Sequence, residues 1–175
     1  MILGRSELTE LVHSGVVSRD DGKEIAVDFT SIGLHLDSQF LRYTPSQMGV
    51  PPFDATTQNI EPSSDGTIQF APGAAVLACS VEKLSMPLDV MGFIQTKGSL
   101  ARGFVMAHLC DGQIDPGYHG KITLELVNLG PVAYRLSPGM PIAQLFFMKL
   151  TSPVESGYQG RYQGATGPTS MKARK

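Results

Sequence analysis

Lys121-Ile122-Thr123-Leu124-Glu125-Leu126-Val127-Asn128 is the stretch on which the fold turns. Its apolar residues recur every second position, which is the period of a strand and not of a helix. The alternation points Ile122, Leu124 and Leu126 to one face and Thr123, Glu125 and Val127 to the other. Glu125 stands mid-strand between β-branched neighbours. It is either solvent-facing or held in a site, and glutamate is seldom buried without a partner. On this stretch alone the solvated reading is the simpler one.

Working outward, the same pattern repeats in short segments near 67–71, 74–81, 90–96, 103–109, 131–136 and 141–149. Pro72-Gly73, Asp115-Pro116-Gly117 and Pro138-Gly139 supply the turns between them. Short strands at regular spacing predict an all-β barrel or sandwich. Upstream, residues 29–43 read as strand with Ile32, Leu34 and Leu36 on one face. Residues 17–28 are polar and turn-rich. The stretch 44–66, with Pro45, Gly49, Pro51, Pro52, Pro62 and Gly66, reads as an irregular connection with room for one short strand. Residues 1–16 give the best helix: Ser6 as cap, Leu8, Leu11 and Val12 as the apolar stripe, Gly15 as the stop. From 152 to 175 the chain is rich in Gly, Ser and Thr and cannot build a core. This tail is expected to be disordered, docked, or ordered by a ligand.

A length of 175 residues suits a single domain spanning 1–175, and 42% hydrophobic with 17% charged residues is a globular composition. A net charge of −2 gives no whole-molecule case for nucleic acid or for an anionic membrane, although Arg161, Lys172, Arg174 and Lys175 make the tail basic. No apolar run reaches membrane-spanning length and Arg5, Glu7 and Glu10 interrupt any signal-peptide pattern, so a cytoplasmic protein is expected. Cys79 and Cys110 match no zinc-ligand spacing and read as reduced, partly buried thiols.

Three segments carry chemistry. Lys97-Gly98-Ser99-Leu100-Ala101-Arg102 can offer backbone N–H groups, a hydroxyl and fixed positive charge to a phosphate chain, or can be a basic turn. Cys110-Asp111-Gly112-Gln113-Ile114-Asp115-Pro116-Gly117-Tyr118-His119-Gly120 reads as a hairpin-like loop in which Asp115 fixes a sugar hydroxyl or a water, or merely caps the turn. Glu125 follows in the next strand.

Those segments in that order, followed by Pro138-Gly139-Met140-Pro141-Ile142-Ala143-Gln144-Leu145-Phe146-Phe147 and by Gly160-Arg161-Tyr162-Gln163-Gly164 with Gly167-Pro168-Thr169, resemble the dCTP deaminase branch of the dUTPase superfamily. The resemblance is dense from about 70 to 149 and clear in the tail. It is looser at Thr30-Ser31-Ile32-Gly33-Leu34-His35-Leu36, where the family usually has Ser-x-Asp-Leu-Arg-Leu. It implies a mainly β, distorted jelly-roll subunit of the dUTPase-like β-clip type, with a short N-terminal helix and a flexible C-terminal flap. It further implies a homotrimer with sites between subunits and a nucleoside triphosphate held with Mg²⁺, without protein-bound metal or zinc. Carried over by position, Glu125 is the general acid/base and Arg102 a catalytic partner. Lys97, Gly98, Ser99, Leu100, Ala101 and Arg102 form the phosphate loop. Asp115 contacts the deoxyribose, Thr123 and Leu124 lie beside the pyrimidine, and Gln144, Tyr158 and Arg161 contact nucleotide near and in the flap.

The residue types suit the reaction the resemblance implies, zinc-independent hydrolysis of dCTP to dUTP and ammonia. One carboxylate can take a proton from water and return it to ring and leaving group if its pKa is raised toward neutrality. Members of the family that carry dUTP on to dUMP also exist, and dTTP inhibits some relatives. Four positions depart from the family: Lys97 for Arg, Gly98 for Ser, Asp111 for a small residue beside the base, and Ala165 for a common Gln in the flap. They leave open a deaminase for another pyrimidine nucleotide and, in a different class, a non-catalytic nucleotide-binding trimer.

Overall fold

A computed structural model describes residues 1–44, 56–109 and 111–171. Pro45, Gly49, Pro51, Pro52, Cys110, Lys172, Arg174 and Lys175 lie outside the described residues. The chain opens with helix α1 (Arg5–His13), whose Leu8 is fully buried while Leu11 and Val12 pack partly buried against the core. Ser6 does not cap it. Gly4 occupies the N-cap and Ser6 Oγ donates to the Glu7 carboxylate at 3.0 Å. Gly15 does end the helix: its φ is +79°, its N–H donates to Val12 O and the Val16 N–H donates to Leu11 O. That pair of bonds is a Schellman motif, which a residue without Cβ enters at least cost.

The strands follow as β1 (Val17–Ser18), β2 (Ile32–His35), β3 (Leu41–Tyr43), β4 (Thr57–Asn59), β5 (Ile68–Phe70), β6 (Ala75–Ser85) and β7 (Val90–Thr96). After the short helix α2 (Gly98–Ala101) come β8 (Val105–Met106), β9 (Gln113–Ile114), β10 (His119–Asn128), β11 (Tyr134–Leu136) and β12 (Pro141–Lys149). One antiparallel sheet runs β4-β3-β6-β10-β8, with β1 also paired to β6; a second runs β2-β12-β7-β9; β5 and β11 form a ribbon. Both sheets feed one apolar cluster, with Ala78, Leu124 and Leu126 from the first and Ile32, Leu34, Ile94, Leu145 and Phe147 from the second. The mainly β architecture is the one expected. Among the described residues no helix is long and apolar enough to cross a membrane.

Three expected elements come out differently. Residues 29–43 divide into β2 and β3, although Ile32, Leu34 and Leu36 are all fully buried as expected. The expected strand at 103–109 shrinks to β8, because Phe104 takes a left-handed φ of 62°, which breaks strand geometry. The basic segment 97–102, read as a phosphate loop or a turn, holds the short helix α2, with Lys97 and Arg102 as its caps.

A wholly buried glutamate ties the first sheet to the segment before β2. Glu82 Oε1 accepts from Arg19 Nη1 at 2.9 Å and lies 2.8 Å from His35 Nδ1, while Glu82 Oε2 accepts the His35 N–H at 2.8 Å. Arg19 is itself held by a two-point contact to Asp21, at 2.9 and 2.7 Å. Arg19 and His35, from different segments, also touch each other, with Arg19 Nη1 3.1 Å from His35 Nδ1. Cys79 is fully buried, and desolvation with the nearby Asp37 charge pushes its thiol up to about 12, so it stays protonated at neutral pH.

Candidate active site

The polar face of β10 makes the floor of the site. Its burial alternates strictly from Gly120 to Asn128, with Ile122, Leu124 and Leu126 in the core and Thr123, Glu125 and Val127 on the other side. A bulge between Lys121 and Thr123 shifts the pairing with β6; the Ile122 N–H donates to the buried Ser80 Oγ at 3.0 Å. Bulges re-aim the side chains that follow. Here Thr123 and Glu125 face a cavity of about 320 Å³. Its walls come from β3, β6, β7, β9, the 111–118 loop and the tail.

Glu125 is the most perturbed acid there. One carboxylate oxygen, Oε2, is buried with no hydrogen-bond partner among the described residues. Burial first, and the Asp111 charge second, push the carboxyl from 4.5 to about 7, against backbone hydrogen bonding at Glu125 and Leu109. Both protonation states are then populated near neutral pH, which a group that gives and takes a proton requires. Asp115 does not simply cap its turn. Its Oδ1 accepts from Gln113 Nε2 at 2.6 Å, and Asp115 also lines the cavity.

The tail docks along its own chain. Gly117 has φ +78°, and a Cβ there would sit 2.4 Å from Gly157 Cα; a Cβ on Gly120 would sit 2.7 Å from Ala165 N. These close approaches let the Lys121 N–H donate to Ala165 O at 2.7 Å and the Gly164 N–H to His119 O at 2.8 Å. Gln163 Oε1 accepts the His119 N–H at 2.8 Å while its Nε2 donates to Gly117 O at 2.9 Å. The Thr169 N–H donates to Thr123 Oγ1 at 3.1 Å and the Met171 N–H to Tyr43 Oη at 2.8 Å. Tyr158 stacks edge-on against Tyr118 at 5.8 Å, so Tyr158, Tyr162, Thr169 and Met171 roof the cavity. Gly117→Ala is expected to open this seam, costing about 2 kcal/mol from the positive φ and the backbone clash. Trypsin cleavage after Arg161 should accelerate about tenfold or more; an unchanged cleavage rate would contradict the docking role.

Of the residues singled out from the sequence, Glu125, Thr123, Asp115 and Tyr158 share this cavity. Leu124 is core-facing and fully buried, so only its backbone borders the floor. Lys97, Gly98, Ser99, Leu100, Ala101 and Arg102 are not among its walls; Arg102 curls back so that Nη1 donates to Gly98 O at 3.1 Å. Gln144 is also away from it, donating to Ser31 Oγ at 3.2 Å, and Arg161 is exposed on the tail. Sequence reading missed Tyr43 and gave Gln163 and Thr169 only as parts of the tail motif, because their contacts are long-range. The turn signal at Asp115-Pro116-Gly117 marked Gly117 but gave no hint of its partner Gly157.

The antiparallel β architecture thus sets a perturbed carboxyl opposite a roof that carries Tyr158 and Tyr162. A family model described as dCTP deaminase-like matches residues 2–150. The chain belongs to the dCTP deaminase-like family. It is 36% identical over 183 residues to a protein of Streptomyces coelicolor named dCTP deaminase, dUMP-forming, across 99% of this chain and 95% of that one. A protein of the same name from Mycobacterium ulcerans is 36% identical over 186 residues, covering 99% and 96%. Among solved structures, 2'-deoxycytidine 5'-triphosphate deaminase from Agrobacterium tumefaciens superposes with a TM-score of 0.64 at 19% identity, over 83% of this chain. This chain spans 47% of that one, and the likeness speaks for the fold.

Proposed function

We infer that this chain is an enzyme that hydrolyses dCTP to ammonia and dUTP and carries the dUTP on to dUMP and pyrophosphate. The observation that carries the reading is Glu125, a half-buried carboxyl with one oxygen buried and unpartnered among the described residues, poised near neutrality on the floor of the cavity. As carboxylate it takes a proton from the water that attacks C4 of cytosine. As carboxylic acid it returns that proton to ring N3; it then takes the hydroxyl proton of the C4 adduct and passes it to the amino group, which leaves as ammonia as the C4 carbonyl forms. Asp115 holds the deoxyribose, and the Thr123–Leu124 backbone borders the pyrimidine edge. Tyr158 closes over it. The second step, to dUMP, is favoured by the names of the two bacterial relatives, both dUMP-forming.

The triphosphate needs cations the cavity lacks. Among the described residues its walls include Asp111, Asp115 and Glu125 and no lysine, arginine or histidine. Lys97, Ser99 and Arg102, on α2 and its flanks, are the phosphate loop of this reading, brought to the cavity by a second copy in a homotrimer. Beside α2, Phe104 and Leu129 are each 63% exposed and Val132 56%, with the Leu129 N–H bonded to Phe104 O. Such an apolar surface fits burial between subunits. Mg²⁺ would arrive with the nucleotide and offset the charge of its phosphates. Among the described residues no three of His, Cys, Asp and Glu converge to cage a metal, and Mg²⁺ favours phosphate oxygens and waters. The reaction belongs to the nucleotide pool of the cytoplasm.

The test is to incubate the purified protein with dCTP and MgCl₂ and to resolve the products by chromatography. Accumulation of dUMP with ammonia is the expected result. Unchanged dCTP at high enzyme concentration would overturn the reading, and dUTP as the sole product would cut it back to deamination. Mixing inactive Arg102→Ala and Glu125→Gln proteins should restore activity in part if sites are shared between copies; no restoration would contradict the shared site.

A further inference from the structure

Asp111 is the one acid of the cavity that neither the fold nor the deamination chemistry accounts for. Asp115 is engaged by Gln113 Nε2 at 2.6 Å, and Glu125 lies half-buried on the floor. Asp111 is exposed and lines the same cavity, which puts it at the rim. Its charge is felt by Glu125. The next residue is tied down: Gly112 O accepts the Ile94 N–H at 2.7 Å, and a Cβ on Gly112 would sit 3.1 Å from the His108 ring and from Ile94 O. The loop therefore cannot retreat from the cavity without giving up that pairing with β7.

A carboxylate only accepts hydrogen bonds. Facing a ring bound over Glu125, it is complementary to an exocyclic amino group and opposed to a keto oxygen. We propose that Asp111 is a specificity-determining residue, accepting a hydrogen bond from the exocyclic amino group of the pyrimidine presented to Glu125 and disfavouring a ring with a carbonyl there. The assignment rests on the deamination reading above. Its consequence is directional. Deamination converts the group Asp111 holds into one it repels, so the base is pushed from its place as soon as it reacts. The loss is local to the base and leaves the phosphate contacts that a following hydrolysis would use.

The experiment measures initial rates of ammonia release from dCTP with dUTP and dTTP as competitors, in wild type, Asp111→Ala and Asp111→Asn, with circular dichroism to confirm folding. In Asp111→Ala the KM for dCTP should rise and inhibition by dUTP and dTTP should tighten, moving their ratio about tenfold or more. Asparagine keeps an acceptor and adds a donor, so Asp111→Asn should move it less. Folded variants that keep the wild-type ratio to within about threefold would overturn the role of Asp111 while leaving deamination standing. A wild type that releases no ammonia would overturn both.

Discussion

Glu125→Gln is expected to bind nucleotide and to lose turnover by about 10²- to 10⁴-fold, the contribution typical of positioned acid–base catalysis. Glutamine keeps the size of the side chain and cannot take a proton. The same variant should change how stability depends on pH. The Glu125 carboxyl is raised from 4.5 to about 7 in the folded chain. Between those values the folded state holds a proton that the unfolded chain releases, so stability falls as pH rises through the window and the cost is complete above 7. Glutamine does not titrate. Relative to wild type, Glu125→Gln should therefore gain stability between pH 5 and pH 8, read from urea midpoints. Full activity, or parallel pH curves for the two proteins, would contradict the assigned environment.

Arg19→Met should produce the largest loss of stability. The Glu82 side chain is 0% exposed and that of Arg19 5%. Methionine fills similar volume and leaves a buried carboxylate without its guanidinium. Removing one partner of a buried ion pair costs about 3–5 kcal/mol, whereas replacing both with apolar residues recovers much of that. Urea denaturation of Arg19→Met and of Arg19→Met/Glu82→Leu measures both. A single variant within about 1 kcal/mol of wild type would show that Arg19 does not carry the network.

The strand at 121–128 was legible because period-two alternation is local, and each inward residue it nominated is buried. The fate of Glu125 was not legible locally. Glu125 shares a cavity with the 111–118 loop and the tail, and neither leaves a mark on the strand itself. The family motifs led to Thr123, Asp115 and Tyr158, which do meet Glu125 at one cavity. They also led to Lys97–Arg102, which a single chain leaves outside it and which a second copy supplies in the proposed homotrimer. Arg19 lay in a stretch whose polarity suggested only turns, because its partner Glu82 is 63 residues away and an ion pair at that distance has no sequence period. Gly117 and Gly120 read as turn and loop glycines, yet each is also required for close backbone approach by the tail.

The central claim is that water attacks a pyrimidine ring over Glu125. Incubation of dCTP with the protein and Mg²⁺ in H₂¹⁸O, followed by mass analysis of the products, tests it most directly. The expected result is one ¹⁸O in the uracil ring, a second on a phosphate of dUMP or pyrophosphate, and no ring label with Glu125→Gln. Recovery of unlabelled dCTP, or ring label undiminished in Glu125→Gln, would contradict it.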